Sequence, residues 1–514
     1  AIEVEIERTE EGRNCQIVPG KTRYSFRNPR TDASLYVRLD RPVPRAPRLG
    51  ASGGMTGTPA RPPAPPGVAC LTAPGDMAPY LAGVRGEKGQ ALAVLRPQTT
   101  EAVAACVRHC HAEGMNFVPQ SGNTGLVGAS VPGTQEGGVV LSLDRLRGEC
   151  TVDAANRTVS VSAGLRLSEL NAQLAPHGLF FPIDLGADPM IGGMIATNTG
   201  GGRYLRYGDV RRHVLGLTVV LNTAKAEVLT LGGAVRKANT GPDWRQMFIG
   251  TSGWFGVVTR AVLNVEPMVQ AQAAALVVPS SHAAMLDLLR HLEIRLGPLL
   301  SAFEFMSCAA MRHTFTHVPA IANPFARGAI PQMALLIEVS RTTADAPWDT
   351  PLDEVLQAAL AEAWDLPGAP VEDALFGRAE EIWALRHALS EGVRTAGPLT
   401  AFDLGFTRDK VIAFREQMHR TLPARYPMME ICDFGHLGDG GLHFNLIKTD
   451  GPAQPSFEEG LRDWVVEQAV EGFGASFSAE HGLGPKNLRY FERYTALDPQ
   501  VLRRMCGVIV ANGC

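Results

Sequence analysis

The chain reads as an α+β protein of two domains, because two patterns succeed one another along it. Between about residues 90 and 267, short β-rich runs mix with helices and are interrupted by two glycine-rich loops. From 268 onward, strand runs alternate with longer amphipathic helices, the signature of helices segregated against a mainly antiparallel sheet. A length of 514 residues leaves ample core for both.

Residues 1–74 carry no clear hydrophobic period, and 41–67 have the proline- and glycine-rich composition of a linker. We expect this stretch to lie outside the fold, with Met55 a natural start. A helix over 100–113, opened by threonines and stopped by Gly114, leads into a strand at 116–119. Cys106, Cys110 and His111 fall within it, and Val103, Cys106, Val107 and Cys110 share one face, so packing explains them better than a metal. Strands follow at 139–143, 158–162, 217–221 and 255–259, with a helix at 168–174. The domain then spans 75–267. The second domain, 268–514, has strands at 273–279, 301–306, 333–339 and 429–434. Helices are expected at 281–293, 350–364, 378–391 and 408–420, with a last helical segment at 456–470.

A formal net charge of −4 makes no electrostatic case for nucleic acid or an anionic membrane. No apolar run approaches the roughly 18 residues of a spanning helix. Nine cysteines without pairing rhythm fit reduced thiols in a cytoplasm.

Two segments carry the chemistry of the first domain. Residues 182–209 hold Gly186, Gly192, Gly193, Gly200, Gly201, Gly202 and Gly208 and almost no long charged side chain before Arg203. A core gains nothing from such a run, whereas exposed backbone amides form anion-binding nests. A second such loop, PQSGNTGLVG, covers 119–128. Together they describe a cradle for a flat, phosphate-bearing molecule, and no G-x-G-x-x-G stands at a strand-to-helix junction to suggest a Rossmann unit. In the last third, His436 and His443 bracket a glycine-rich turn, and Glu480 and His481 follow in SAEHG. Two imidazoles flanking a hairpin, with a carboxylate from elsewhere, can cap one face of a divalent ion; ordinary polar loop histidines are the alternative.

These motifs, in this order over about 75–505, resemble the vanillyl-alcohol oxidase-like flavoenzymes. The similarity is strongest to the FAD-dependent D-2-hydroxyacid dehydrogenases, the branch with D-lactate, glycolate and D-2-hydroxyglutarate dehydrogenases. The resemblance implies a PCMH-type FAD-binding domain followed by a cap domain that carries substrate and metal. It implies FAD contacts at Pro119, Gln120, Ser121, Gly122, Asn123, Thr124, Gly125 and Leu126 in the pyrophosphate loop. In the isoalloxazine-side loop it implies Asp188, Pro189, Gly192, Gly193, Ala196, Thr197, Asn198, Gly201, Gly202, Arg206, Tyr207 and Gly208, with Val258 beyond. Asn123 stands in a loop without the histidine that some relatives use for attachment, so the FAD is expected to be non-covalent.

By the same resemblance His436, His443 and Glu480 hold a divalent metal, with zinc the first choice, and His481 is the catalytic base. Arg386, Ser390 and Asn445 then bind substrate. Departures are informative. Gly441 replaces an asparagine, which predicts looser hydrogen bonding of that turn. Ala401 replaces a lysine that would hold a second carboxylate, favouring a D-2-hydroxy monocarboxylate; Arg203 and Lys410 are the substitutes to consider. Ser252 stands where a glutamate is usual, and Trp254 and Phe255 either pack as core or narrow the cavity. The end, VIVANGC, lacks the family's Asn-Pro-Gly turn, so a final element near the flavin is expected to be missing.

The implied reaction is oxidation of a D-2-hydroxy acid by hydride transfer to FAD, with electron-transfer flavoprotein, a quinone or a cytochrome as acceptor. Such acceptors leave a position at the inner membrane open, and a homodimer is compatible. Two rivals stand beside it. A metal-dependent hydrolase would leave the glycine loops unexplained, and a non-catalytic FAD-binding subunit would leave the histidines idle.

Overall fold

The computed structural model describes strands 24–27 and 34–37 and residues 64–495, apart from 134–136, 326–327, 345 and 453, together with 501. The expectations about Met55 and about the chain's end fall outside the described residues. Strands Tyr24–Arg27 and Ser34–Val37 pair antiparallel in a unit of their own.

The rest begins earlier than residue 75. Strand Ala69–Leu71 pairs with Ala93–Arg96 at one edge of a four-stranded sheet completed by Gly138–Ser142 and Asn116–Gln120. The other two pairings are parallel. The helix Thr100–Ala112 crosses between its strands, with the Thr99 hydroxyl accepting from the Ala102 amide. Cys106 and Cys110 are buried in its core face, and burial pushes their thiols up to about 12 and about 11. A five-stranded antiparallel sheet follows, in the order Val228–Gly232, Val214–Leu221, Gly256–Asn264, Thr158–Ser162, Cys150–Asp153. Phe255 joins its core, and Trp254 packs edge-on against Phe491.

The second half is built on one antiparallel sheet. Its order is Val371–Gly377, Ala271–Pro279, Met333–Arg341, Leu300–Ser307, Phe434–Gly435, Gly441–Lys448, Leu399–Gly405, and Met429–Ile431 also pairs with Gly441–Lys448. The expected segregation of helices does not hold, because helices cover both faces. Ala273, Ala275, Val277, Phe303 and Phe305 pack under helices Ala284–Leu296, Leu352–Trp364, Arg408–Arg425 and Pro455–Phe473. Ala274, Leu276, Ala302 and Met306 face helices Cys308–His317 and Ala379–Ala396. Successive residues of a strand point to opposite faces, so central strands covered twice are apolar without alternation. Among the described residues no helix is long and apolar enough to cross a membrane.

Two carboxylates interrupt the apolar central strands on the face of helix Ala379–Ala396. Glu304 reaches the His436 imidazole, and Glu338 ties the two halves together. Arg203, from the glycine-rich loop, grips Glu338 with Nε and Nη2, both at 2.9 Å, and reaches Asp184 with Nη1 at 2.6 Å. The Trp383 indole N–H donates to the same carboxylate at 2.6 Å, and the Ser301 hydroxyl at 2.5 Å. Arg206 nearby donates to the Ser340 hydroxyl at 2.7 Å. Because Glu338 is fully buried, removing it strands several donors. Glu338→Ala should cost about 3–5 kcal/mol in urea denaturation, whereas the apolar pair Arg203→Met/Glu338→Leu should cost less than the single change.

Candidate active site

A cavity of about 690 Å³ opens where both glycine loops face helix Ala379–Ala396 and the turn between Phe434–Gly435 and Gly441–Lys448. That is ample for a drug-sized ligand. The first loop leaves strand Asn116–Gln120 and reverses at Asn123, a left-handed residue at φ 52°. Its side chain is pinned, Nδ2 donating to the Ala82 carbonyl at 2.8 Å and Oδ1 accepting from Ser130 at 2.8 Å. Among the described hydrogen bonds none uses the amides of Gly122 through Gly125, and these residues line the cavity. Unsatisfied amides turned to a cavity fit an anionic group such as a pyrophosphate. In the second loop Gly201, at φ 144°, lies so close to Asp184 that a Cβ would sit 2.4 Å from its carbonyl oxygen.

Most residues expected to hold the cofactor line this cavity: Pro119, Ser121 through Leu126, Pro189, Gly192, Gly193, Ala196, Thr197, Gly201, Gly202 and Val258. Six lie off it and shape it from behind. Gln120 is buried, donating to the Tyr80 and Ser130 carbonyls. Asp188 accepts from the Ser168 amide and hydroxyl, capping helix Leu167–Leu174. Asn198 closes its helix in the left-handed region and donates to Asp209. Arg206 is spent on Ser340, Tyr207 packs edge-on to Phe180, and Gly208 ends a short helix at φ 75°.

The polar end of the cavity carries the imidazoles. Hairpin strand pairing sets His443 opposite Phe434 and beside Asp403. His436 Nε2 lies 3.2 Å from His443 Nε2, and Glu480 Oε1 lies 3.5 and 3.6 Å from them. Donors about 2.0–2.2 Å from a tetrahedral ion are spaced roughly 3.3–3.5 Å apart, so this triangle fits one face of a zinc-like site. His481 stacks on His443 and places its Nε2 3.9 Å from Glu480. The turn between the histidines is not loosened by Gly441: three amides, of Asp439, Gly440 and Gly441, donate to the His436 carbonyl. A second cluster, His313, Glu430 and Cys432, has its carboxylate committed to Arg312 and His313.

Two carboxylates absent from the motif reading orient these rings. Glu304, 2% exposed, accepts from His436 Nδ1 at 2.9 Å and from Arg386 Nε at 2.9 Å. Asp403 Oδ2 accepts the amides of Ala479, Glu480 and His481, while His443 Nδ1 and His481 Nδ1 lie 3.5 and 3.7 Å from its carboxylate. With Nδ1 turned to a carboxylate, each Nε2 faces the cavity. Burial pushes the Glu304 and Asp403 carboxyls up, but the surrounding histidines, with Arg386 and the backbone amides, outweigh it and hold both below the usual range. Glu480 falls to about 2, because His436 and His443 overcome its burial. His436 is the cation among them: burial works against its charge, yet Glu304 and Glu480 raise it well above an ordinary imidazole. Burial lowers His443 despite Asp403.

Arg386, Ser390 and Asn445 all line the cavity, together with Trp383 and His387. Arg386 has its Nε and Nη2 edge on Glu304. Arg203 is taken up by Glu338, and Lys410 is exposed away from the cavity. Glu304 could have been noticed as a lone acid within SAFEFM. Asp403 lies two residues beyond Ala401, on the same strand.

Residues 91–232 match the FAD binding domain family and 268–505 the C-terminal domain of FAD linked oxidases. The D-2-hydroxyglutarate dehydrogenase of Rattus norvegicus is 33% identical, covering 78% of this chain and 73% of that protein. That of Xanthomonas citri pv. viticola is 33% identical, covering 76% and 81%. In fold, the chain resembles an alkyldihydroxyacetonephosphate synthase at a TM-score of 0.60 and 16% identity, over 85% of this chain and 80% of that one.

The raised His436 has a pH consequence. Its stabilisation is fully present below the unfolded value of about 6.5 and is lost as pH rises through the higher folded value. In chelator-containing buffer the melting temperature should therefore fall as pH rises above about 6.5 and through the raised His436 value, and His436→Asn should flatten that part of the curve. An equal slope in both proteins would contradict the charge assignment.

Proposed function

Because the chain belongs to the FAD-linked oxidases, in the branch of the D-2-hydroxyacid dehydrogenases, it is a FAD-dependent oxidoreductase of D-2-hydroxy acids, and we propose the roles of its residues. The observation that carries these roles is one cavity holding both the amide-lined glycine loops and the His436–His443–Glu480 triangle. When bound, FAD supplies the hydride acceptor, and a divalent ion on that triangle supplies a Lewis acid for the 2-hydroxyl.

His481 takes the hydroxyl proton as general base. Asp403 holds its ring through Nδ1 and stabilises the imidazolium that results. Arg386, Ser390 and Asn445 fix the substrate carboxylate, so that the C2 hydrogen is directed at the glycine-loop side of the cavity. Glu304 keeps both Arg386 and His436 in place, coupling the carboxylate clamp to the metal ligands. The two loops that line the cofactor side carry no histidine at the lining positions, which supports non-covalent FAD. A separate acceptor, of the electron-transfer flavoprotein, quinone or cytochrome class, would reoxidise it.

Acid precipitation should release yellow flavin into the supernatant. Dye reduction should proceed with D-2-hydroxy acids, while L-isomers are poor, because anchoring carboxylate and hydroxyl turns their C2 hydrogen away. His443→Ala should keep its flavin and lose turnover about a thousandfold or more, since the Lewis acid contributes several kcal/mol. Full activity in that variant would remove the metal role.

A further inference from the structure

We propose that Arg85 receives a second carboxylate of the substrate, which makes a D-2-hydroxy dicarboxylic acid the preferred class. This deepens the reading above and rests on it.

Arg85 sits at the tip of a tight turn between helix Pro74–Leu81 and strand Ala93–Arg96. The turn is closed by the Gly83 amide on the Glu87 carbonyl at 2.8 Å and the Gly89 amide on the Leu81 carbonyl at 2.8 Å. Glu87 accepts from the Arg85 amide at 3.1 Å and pairs with Lys486 at 2.8 Å, which fixes the tip against the stretch that follows SAEHG. The Asn123 amide group holds the same turn through the Ala82 carbonyl. Arg85 is thus presented on a braced backbone, partly buried, and it lines the cavity.

Among the described residues its guanidinium makes no hydrogen bond and no ion pair. The charges that face it are Arg462, Asp403 and Glu87. Asp403 is committed to three backbone amides and two imidazoles, and Glu87 to Lys486. Arg462 repels it, and lies under the position where lysine was expected, donating to the Ala401 carbonyl at 3.2 Å. An arginine keeps its proton, so a desolvated guanidinium without a partner is a standing cost that an entering anion relieves.

The other cations are accounted for. Arg386 is tied to Glu304, Arg203 to Glu338 and Asp184, Lys410 points away, and Arg394 is exposed at the cavity rim. With Arg386 taking the carboxylate beside the reacting carbon, Arg85 remains for the far end of the substrate. The expectation of a monocarboxylate, drawn from Ala401 alone, gives way: the cation comes from the other domain.

The test compares D-2-hydroxyglutarate with D-lactate on the flavin-loaded enzyme, wild type and Arg85→Gln. The variant should keep its flavin and melt no lower than the wild type, since an unpartnered, partly buried charge is removed. Its KM for D-2-hydroxyglutarate should rise about tenfold to a hundredfold, the worth of one charge-assisted hydrogen bond, while kcat/KM for D-lactate changes by about twofold or less. Arg85→Lys should recover part of the loss. Equal losses with both acids, no loss with either, or loss of flavin (an arginine serving the cofactor) would each overturn the proposal. If the wild type oxidised neither acid, the functional reading itself would fall, and the proposal with it.

Discussion

A relay of buried charge runs from Arg386 through Glu304, His436, His443 and Asp403 to His481, and the geometry of the site depends on its being complete. Arg386, Glu304 and Asp403 are buried and the three imidazoles keep 12–15% exposure, so a missing partner would leave a carboxylate or guanidinium uncompensated at a cost of several kcal/mol. The two carboxylates turn the imidazoles. With Nδ1 directed outward to Glu304 or Asp403, the Nε2 atoms converge with Glu480 on one point, and the His481 ring stands beside them. Arg386, a charged helix residue, thereby becomes part of the same unit as the His436–His443–Glu480 triangle.

The sheet explains how such a relay can exist. Glu304 and Asp403 come from strands whose other positions are packed, and each points to the face where helix Ala379–Ala396 or the SAEHG segment meets it. The same helix contributes Trp383 to the Glu338 junction, so the element that carries Arg386 is anchored to the glycine-rich loop through Arg203. The glycine-rich loop and the helix that carries Arg386 are held in register by one buried carboxylate. Loosening it would change the distance between Arg386 and the glycine-loop side of the cavity.

How far the sequence could be read depended on where the signal was local. The helix over 100–113 and the strand runs SAFEFM and MALLIEV were legible, because caps and unbroken apolar runs are local properties. The strand Val371–Gly377 was not: with its acids and half-exposed residues it forms a sheet edge, and only its pairing with Ala271–Pro279 defines it. Leu399–Gly405 is buried over most of its length but broken by Asp403, and its pairing with Gly441–Lys448 defines it. His436, His443, Glu480 and His481 were found by motif, whereas Glu304 and Arg85 come from distant segments and meet the site only in three dimensions. Gly441 misled in the other direction, since the amides that hold its turn belong to the backbone and need no asparagine.

The central claim is that one cavity joins a flavin to a metal-assisted base. It is tested most directly by following substrate-driven bleaching of the bound flavin under anaerobic conditions, with flavin and metal content measured on the same sample before and after chelation. The account requires that chelation remove about one ion per flavin, leave the flavin bound and abolish bleaching, and that the divalent ion restore it. Undiminished bleaching in protein shown to be free of metal would contradict it.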